Sequence, residues 1–297
     1  MKELKLGVIG MSPGNGHPYS WSAIFNGYEE LNMRECPYPV IYGYLSRQSF
    51  PHDSIPNAKV THIWTQDQRI SRQVALASKI ENVVAEMTDM IGEVDAVLLA
   101  RDDAEAHFEM AQPFLKAELP VFIDKPLAYS VDEAKKILEL EQYPGQVFTS
   151  SGLRFAKELH LNSDQKAKIG KIQHVIGSVP KDWKKYSIHI IDPILNNFED
   201  LGQISTHQRW CVEGNTTLAI LWSSGVQGTF FNFENGVTPI QLQFIGDKGS
   251  ETLVFQDTFQ AFKASLESFV LSVREKRRVI PLEQTFAAIE IVEKGIG

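Results

Sequence analysis

Cysteine is scarce in this sequence: among 297 residues only Cys36 and Cys211 carry thiols, far apart and outside any Cys-x-x-Cys spacing. That excludes a disulfide framework and a thiolate zinc cage, and it points to a reducing compartment. No metal site is expected. Long apolar runs are also missing. The opening Met1-Lys2-Glu3-Leu4-Lys5 leads into a short apolar run that ends in glycine, too brief for a signal-peptide core or a membrane span. The expectation is a soluble cytoplasmic protein with no membrane partner. Positive charge is not in excess either: 29 Lys and Arg against 37 Asp and Glu leave a net charge of −8. Such a field repels polyanions, so nucleic acid is not expected as a partner.

What is present is ordinary globular composition, 43% hydrophobic and 22% charged. At about 150 residues per domain the length suggests two domains. Over residues 1–150 short apolar runs alternate with helical patterns. Strands are expected at 6–10, 40–45, 96–100, 121–123 and 147–150, and helices at 19–31, 67–79 and after Asp102-Asp103, where Phe108, Ala111 and Leu115 recur at helical spacing. Ser130 and Glu133 form a capping-box pair for a helix through residue 140. This alternation predicts βαβ units in a doubly wound parallel sheet, with any ligand at the carboxyl ends of the strands.

After residue 150 the pattern changes. Strands are expected at 174–179, 217–222, 225–233 and 240–245, separated by turns such as Glu234-Asn235-Gly236, with helices at 259–274 and 282–294. The fold class is therefore α/β: an N-terminal dinucleotide-binding domain over 1–150, then a C-terminal α+β domain over 151–297 with a mainly antiparallel open sheet. The last helix is allowed to return to the first domain. The open sheet face predicts a homodimer or homotetramer.

Three places carry candidate chemistry. The turn Gly10-Met11-Ser12-Pro13-Gly14-Asn15-Gly16-His17 follows the first strand, where glycines let a pyrophosphate approach the backbone at a helix N-terminus. Its spacing is irregular, with Ser12 and Asn15 where a G-x-G-x-x-G pattern counted from Gly10 has glycines. Gly10, Ser12, Gly14, Asn15 and Gly16 are candidate cofactor contacts, the other reading being a tight connection with no ligand. After the expected second strand the acid that would hold NAD ribose is missing, and Ser46-Arg47 follows. Those two could meet a 2′-phosphate, which favours NADP, unless Arg47 is simply an exposed loop residue. The third place is Phe122-Ile123-Asp124-Lys125-Pro126, which sets Lys125 in the ligand crevice with acid/base capacity.

Taken together, the stretch DAVLLARDDAEAHFEMAQPFLKAELPVFIDKPLAYSVDEAKKIL, residues 95–138, resembles the Gfo/Idh/MocA family of NAD(P)-dependent sugar and polyol oxidoreductases. His107 stands on the helix where that family carries a histidine, and Asp124-Lys125-Pro126 stands for its Glu-Lys-Pro. Ser151-Gly152-Leu153-Arg154-Phe155, Gly170-Lys171-Ile172 and Phe244-Ile245-Gly246-Asp247-Lys248-Gly249-Ser250 follow in family order. The family's D-x-x-x-H-x-x-D segment aligns with residues 185–192, giving His189 and Asp192, but Lys185 stands where the first acid belongs. A cation there disfavours imidazolium if it points inward, unless Lys185 turns to solvent and Tyr186 or Asp182 takes over.

The resemblance implies a Rossmann domain, NAD(P), and Lys125 and His189 flanking the substrate carbon. Asp124, Lys125 and His107 then join the cofactor contacts, and Arg154, Trp183, Tyr186 and Asp192 the substrate contacts. The function implied is hydride transfer to or from a sugar, nucleotide-sugar or polyol carbon. The alternative is a non-catalytic sensor of the same fold that binds a dinucleotide or sugar. A bland reading stands beside these: His189 on an apolar helix face as a hydrogen-bonded core residue, and His107 as structural.

Overall fold

The computed structural model describes residues 2–297, and its contacts divide into two compact units. Unit 1 holds the residues up to Leu127, Lys135–Thr149 and Phe262–Ile280; unit 2 holds Ala128–Ala134, Ser150–Ala261 and Pro281–Gly297.

In unit 1, β1 (Leu4–Gly10) is followed by α1 (His17–Asn26), α2 (Glu30–Arg34) and α3 (Pro39–Leu45), then β2 (Ala58–Thr65), α4 (Gln68–Ala77) and β3 (Asn82–Val83). The chain continues with β4 (Ala96–Leu99), α5 (His107–Lys116), β5 (Val121–Ile123), α6 (Val131–Leu138), which groups with unit 1 only from Lys135, and β6 (Val147–Phe148). Every pairing in this sheet is parallel, in the order β3-β2-β1-β4-β5-β6. Leu6, Val8 and Ile9 of β1 and all of β4 are fully buried, as a parallel sheet covered on both faces requires. The strand order reverses between β1 and β4, which makes their carboxyl ends the switch point.

One expectation fails here. Residues 40–45 are helical, not a strand. Pro39 opens α3 at a position where a missing N–H costs nothing, and Ile41 and Leu45, four apart, bury one helical face. The second strand is β2, so Ser46 and Arg47 follow a helix and do not stand at its end. The residues that do are Gln66 and Asp67, the latter capping α4 by accepting from the Arg69 N–H.

In unit 2, α7 (Ser163–Ile169) leads to β7 (Ile172–Pro180), α8 (Trp183–Tyr186) and α9 (Ile188–Asn196). Then come β8 (Ile204–Val212), β9 (Asn215–Trp222), β10 (Gln227–Phe233), β11 (Gln241–Gly246), β12 (Ser250–Val254), α10 (Thr258–Glu275) and α11 (Leu282–Ile296). The sheet order is β12-β11-β7-β10-β9-β8, antiparallel except for the parallel β7–β10 pair. It is thus mixed rather than wholly antiparallel. The α10 residues from Phe262 group with unit 1, whereas the last helix, α11, groups with unit 2.

Leu218, Ile220 and Trp222 of β9 and Phe230 of β10 point into one core with Ile190, Ile191 and Ile194 of α9 and Ile291 and Val292 of α11. A side chain at Gly177 would come within 3.0 Å of Ile190, so glycine in β7 lets α9 lie close to the sheet. The alternate residues Ile176, Ala219, Leu221 and Phe231 remain half-exposed on the opposite face.

Candidate functional site

In unit 1 the polar groups gather at the carboxyl ends of β1, β4 and β5. The turn after β1 is tied across the switch point: Ser12 Oγ donates to Asp102 Oδ1 at 2.6 Å, and the Asp102 N–H donates back to Ser12 Oγ at 3.2 Å. Asp102 Oδ2 in turn lies 3.5 Å from Lys125 Nζ, both residues buried. Lys125 therefore sits at the strand end, its ammonium beside a carboxylate, with Pro126 following through a cis bond.

The same turn reaches β5. Asn15 Nδ2 donates to Asp124 Oδ2 at 2.9 Å, and His17 Nδ1 lies 2.6 Å from that oxygen. The Lys125 N–H donates to Asp124 Oδ1 at 2.8 Å. Burial works to raise the Asp124 carboxyl, but the charge and hydrogen bond of His17, aided by Lys125, outweigh it and hold the group below the usual carboxylate range. His17 ends the glycine turn in the sequence and is the first residue of α1.

The glycines of the turn have different duties. At Gly10 a side chain would strike the Pro18 ring at 2.4 Å, and at Gly16 one would meet Tyr38 and Ile41 at 2.6 Å. The segment before α3 thus lies against the turn. Its Tyr38 phenol is pushed up by burial first, then by Cys36 and Asp102. Gly14 alone combines a positive φ of 81° with open space, so the turn's tip is accessible backbone. His107 is fully buried with both ring nitrogens 2.9 Å from carbonyl oxygens, of Leu127 and Arg101. It braces the exits of β4 and β5 and offers no nitrogen to a ligand.

In unit 2 His189 and Asp192 both lie on α9, as their spacing requires. His189 Nδ1 is 2.7 Å from Ser151 Oγ, and the Tyr186 ring meets its edge at 5.4 Å. Asp192 accepts from the Ser151 N–H at 2.9 Å and from Arg154 Nη1 at 2.7 Å. Arg154 also donates to Gln284, and it is nearly fully buried. Its guanidinium is occupied by its own chain, which corrects the reading of Arg154 as a substrate anchor. Asp192 is likewise consumed in that pair. Trp183 is buried in the core and donates its indole N–H to the Val292 carbonyl at 2.9 Å, so it does not line a sugar site. Lys185 is half-buried, and its N–H is capped by Asp182 at 2.9 Å. Tyr186 receives a hydrogen bond from Lys181 and remains beside His189.

The family model described as an oxidoreductase family with an NAD-binding Rossmann fold matches residues 42–151. Over residues 42–151 the chain is thus similar to the Gfo/Idh/MocA oxidoreductase family. A sequence search of curated proteins finds no match. Among solved structures, a probable dehydrogenase from Thermotoga maritima is similar at a TM-score of 0.72 and 15% identity, covering 97% of this chain and 94% of that one. The myo-inositol dehydrogenase from Lactobacillus casei in complex with NAD(H) and myo-inositol gives 0.73 at 15% identity, covering 98% and 93%. The myo-inositol 2-dehydrogenase from Lactobacillus plantarum gives 0.71 at 16%, covering 98% and 96%. At such identities the likeness establishes the fold. The Gfo/Idh/MocA match begins at residue 42, so the glycine turn, His17 and Tyr38 lie outside it. No helix among the described residues is long and apolar enough to cross a membrane.

Proposed function

We propose that the protein is an NAD-dependent dehydrogenase or reductase acting on a CH–OH carbon of a sugar or polyol. The observation that carries this reading is Lys125, buried at the carboxyl end of β5 next to the switch point with its ammonium beside Asp102. The open tip at Gly14 and the exposed edge of the turn fit a dinucleotide laid over β1 and β4. When bound, the nicotinamide supplies the hydride chemistry. In the oxidation direction Lys125 orients and polarises the substrate oxygen. Ser12 keeps Asp102 in place, and Asp102 keeps the Lys125 ammonium aimed.

NAD is preferred over NADP in this reading. The reason for favouring NADP was Arg47, which the fold removes from the end of β2, and the acid that stands there is Asp67. A carboxylate at that end suits ribose hydroxyls and repels a 2′-phosphate. Titration calorimetry with NADH and NADPH, followed by turnover on a panel of inositols and sugars, tests the proposal. Binding of neither cofactor would end it.

The sensor reading is supported by one observation: Ser12 and Asp102 already bridge the switch point. Cofactor binding without turnover across the panel would favour it. A homodimer or homotetramer through the open face of the unit 2 sheet is part of the proposal. Registered rows such as Ile176, Thr229 and Ala219 leave an apolar stripe across β7, β10 and β9. Sedimentation at micromolar concentration showing only monomer would remove it. A cytoplasmic location accords with two free cysteines.

A further inference from the structure

In a Rossmann crevice the dinucleotide's diphosphate usually takes backbone N–H groups at the start of the first helix. Here those donors are spent. The His17 N–H goes to Asn15 Oδ1 at 2.7 Å, position 18 is proline, and the Tyr19 and Ser20 N–H groups both go to the Gly16 carbonyl, at 3.1 and 3.2 Å. The Met11 N–H is taken by Gln66 and the Asn15 N–H by the Ser12 carbonyl. The end of α1 therefore has little left for an anion.

A side chain stands at the same place. The His17 imidazole is fixed on three sides: Nδ1 on Asp124 at 2.6 Å, its face stacked on Trp21 at 4.8 Å, and an edge contact with Phe262 at 5.1 Å. Asp124 is itself held by Asn15 and by the Lys125 N–H, so the carboxylate cannot swing away. The imidazole keeps 17% of its surface exposed, and its Nε2 has no bonding partner among the described residues. Beneath it the Trp21 indole N–H is also buried without one. An ordered ring with one committed nitrogen and one open nitrogen is a recognition element whose rotamer entropy is already lost before binding.

We propose that His17 is a specificity-determining contact for the dinucleotide: Asp124 fixes the ring and, in the bound state, the imidazolium donates Nδ1–H to Asp124 and Nε2–H to a diphosphate oxygen, in place of the spent N–H groups at the start of α1. This rests on the dinucleotide-binding reading of the crevice. Charge-assisted hydrogen bonds of this kind exceed neutral ones, so losing the ring weakens diphosphate ligands by about tenfold or more.

The test uses the full chain and calorimetric titration with NADH, ADP-ribose, ADP and adenosine, for the wild type, His17→Gln and Asp124→Asn, with thermal unfolding of each. The expected result is that His17→Gln weakens NADH, ADP-ribose and ADP by tenfold or more and leaves adenosine unchanged. Asp124→Asn, which keeps the ring but not the carboxylate charge, weakens the same three severalfold. Unchanged ADP-ribose affinity in His17→Gln overturns the inference, as does an equal loss for adenosine, which marks a purely structural role. ADP-ribose and ADP bound through His17 by a wild type that does not bind NADH would sink the dehydrogenase reading while keeping this contact. A wild type that binds none of the four sinks both.

Discussion

Two buried ion pairs, one in each unit, show how differently a carboxylate can be used. In unit 2 Asp192 is saturated, with the Arg154 guanidinium at 2.7 Å and the Ser151 N–H at 2.9 Å. In unit 1 Asp102 has a short bond to Ser12 at 2.6 Å but stands 3.5 Å from the Lys125 ammonium. A tight pair with a planar fork fixes a loop and resists exchange of partners. A wider pair with a compact ammonium holds its cation less rigidly. The first pair is scaffold, and in the proposed function the second serves the chemistry.

The largest expected effect sharpens that contrast. Lys125→Ala should lower kcat for the NAD-dependent reaction by about 10²–10⁴, and steady-state rates on the substrate panel check it. Its unfolding free energy should fall less than in the unit 2 variant below, because the pair that it breaks is the wider one, at 3.5 Å. Arg154→Met should do the reverse within unit 2. It leaves the Asp192 charge buried without its counterion, at a cost of about 3–5 kcal/mol read by urea unfolding. Comparable stability losses in both variants would break the comparison. A smaller effect is expected from Ser12→Ala, about 1–3 kcal/mol, since a buried carboxylate loses a donor.

The smallest effect concerns acid. Asp124 is depressed in the folded chain, so its stabilising contribution is present above the unfolded carboxylate value, near pH 4, and is lost as pH falls through the lower folded value. Asp124→Asn should therefore flatten the stability profile below about pH 4, as thermal melts across pH will show. His174 runs to the same sign by another route. Burial lowers its imidazole, so the neutral form favours folding above about pH 6.5 and the contribution fades as pH drops below that.

What was legible in the sequence follows the same division. Ala96–Leu99 and Val121–Ile123 announce buried parallel strands because every side chain is apolar, and the residues at their ends fall in the crevice as the alternation predicts. The Lys125 position was readable for that reason. Residues 40–45 suggest a strand because Val40, Ile41, Tyr42 and Tyr44 carry strand propensity, yet they form α3. The decisive pattern was the i, i+4 spacing of Ile41 and Leu45 behind Pro39. β8 gives no such signal, since Thr206 to Val212 are exposed on both faces and show no alternation. The occupied state of Arg154 and Trp183 could not be read at all. Gln284 and Val292, which engage them, are more than a hundred residues away.

The contact of Tyr38 and Ile41 with Gly16 has a practical consequence for anyone recombining this protein with its structural relatives. The turn and the segment running from Gly27 to β2 form one exchangeable block. Grafting the turn alone would leave a gap where the tyrosine ring stood, whereas keeping the segment while restoring any larger residue at position 16 would lever α3 off its seat.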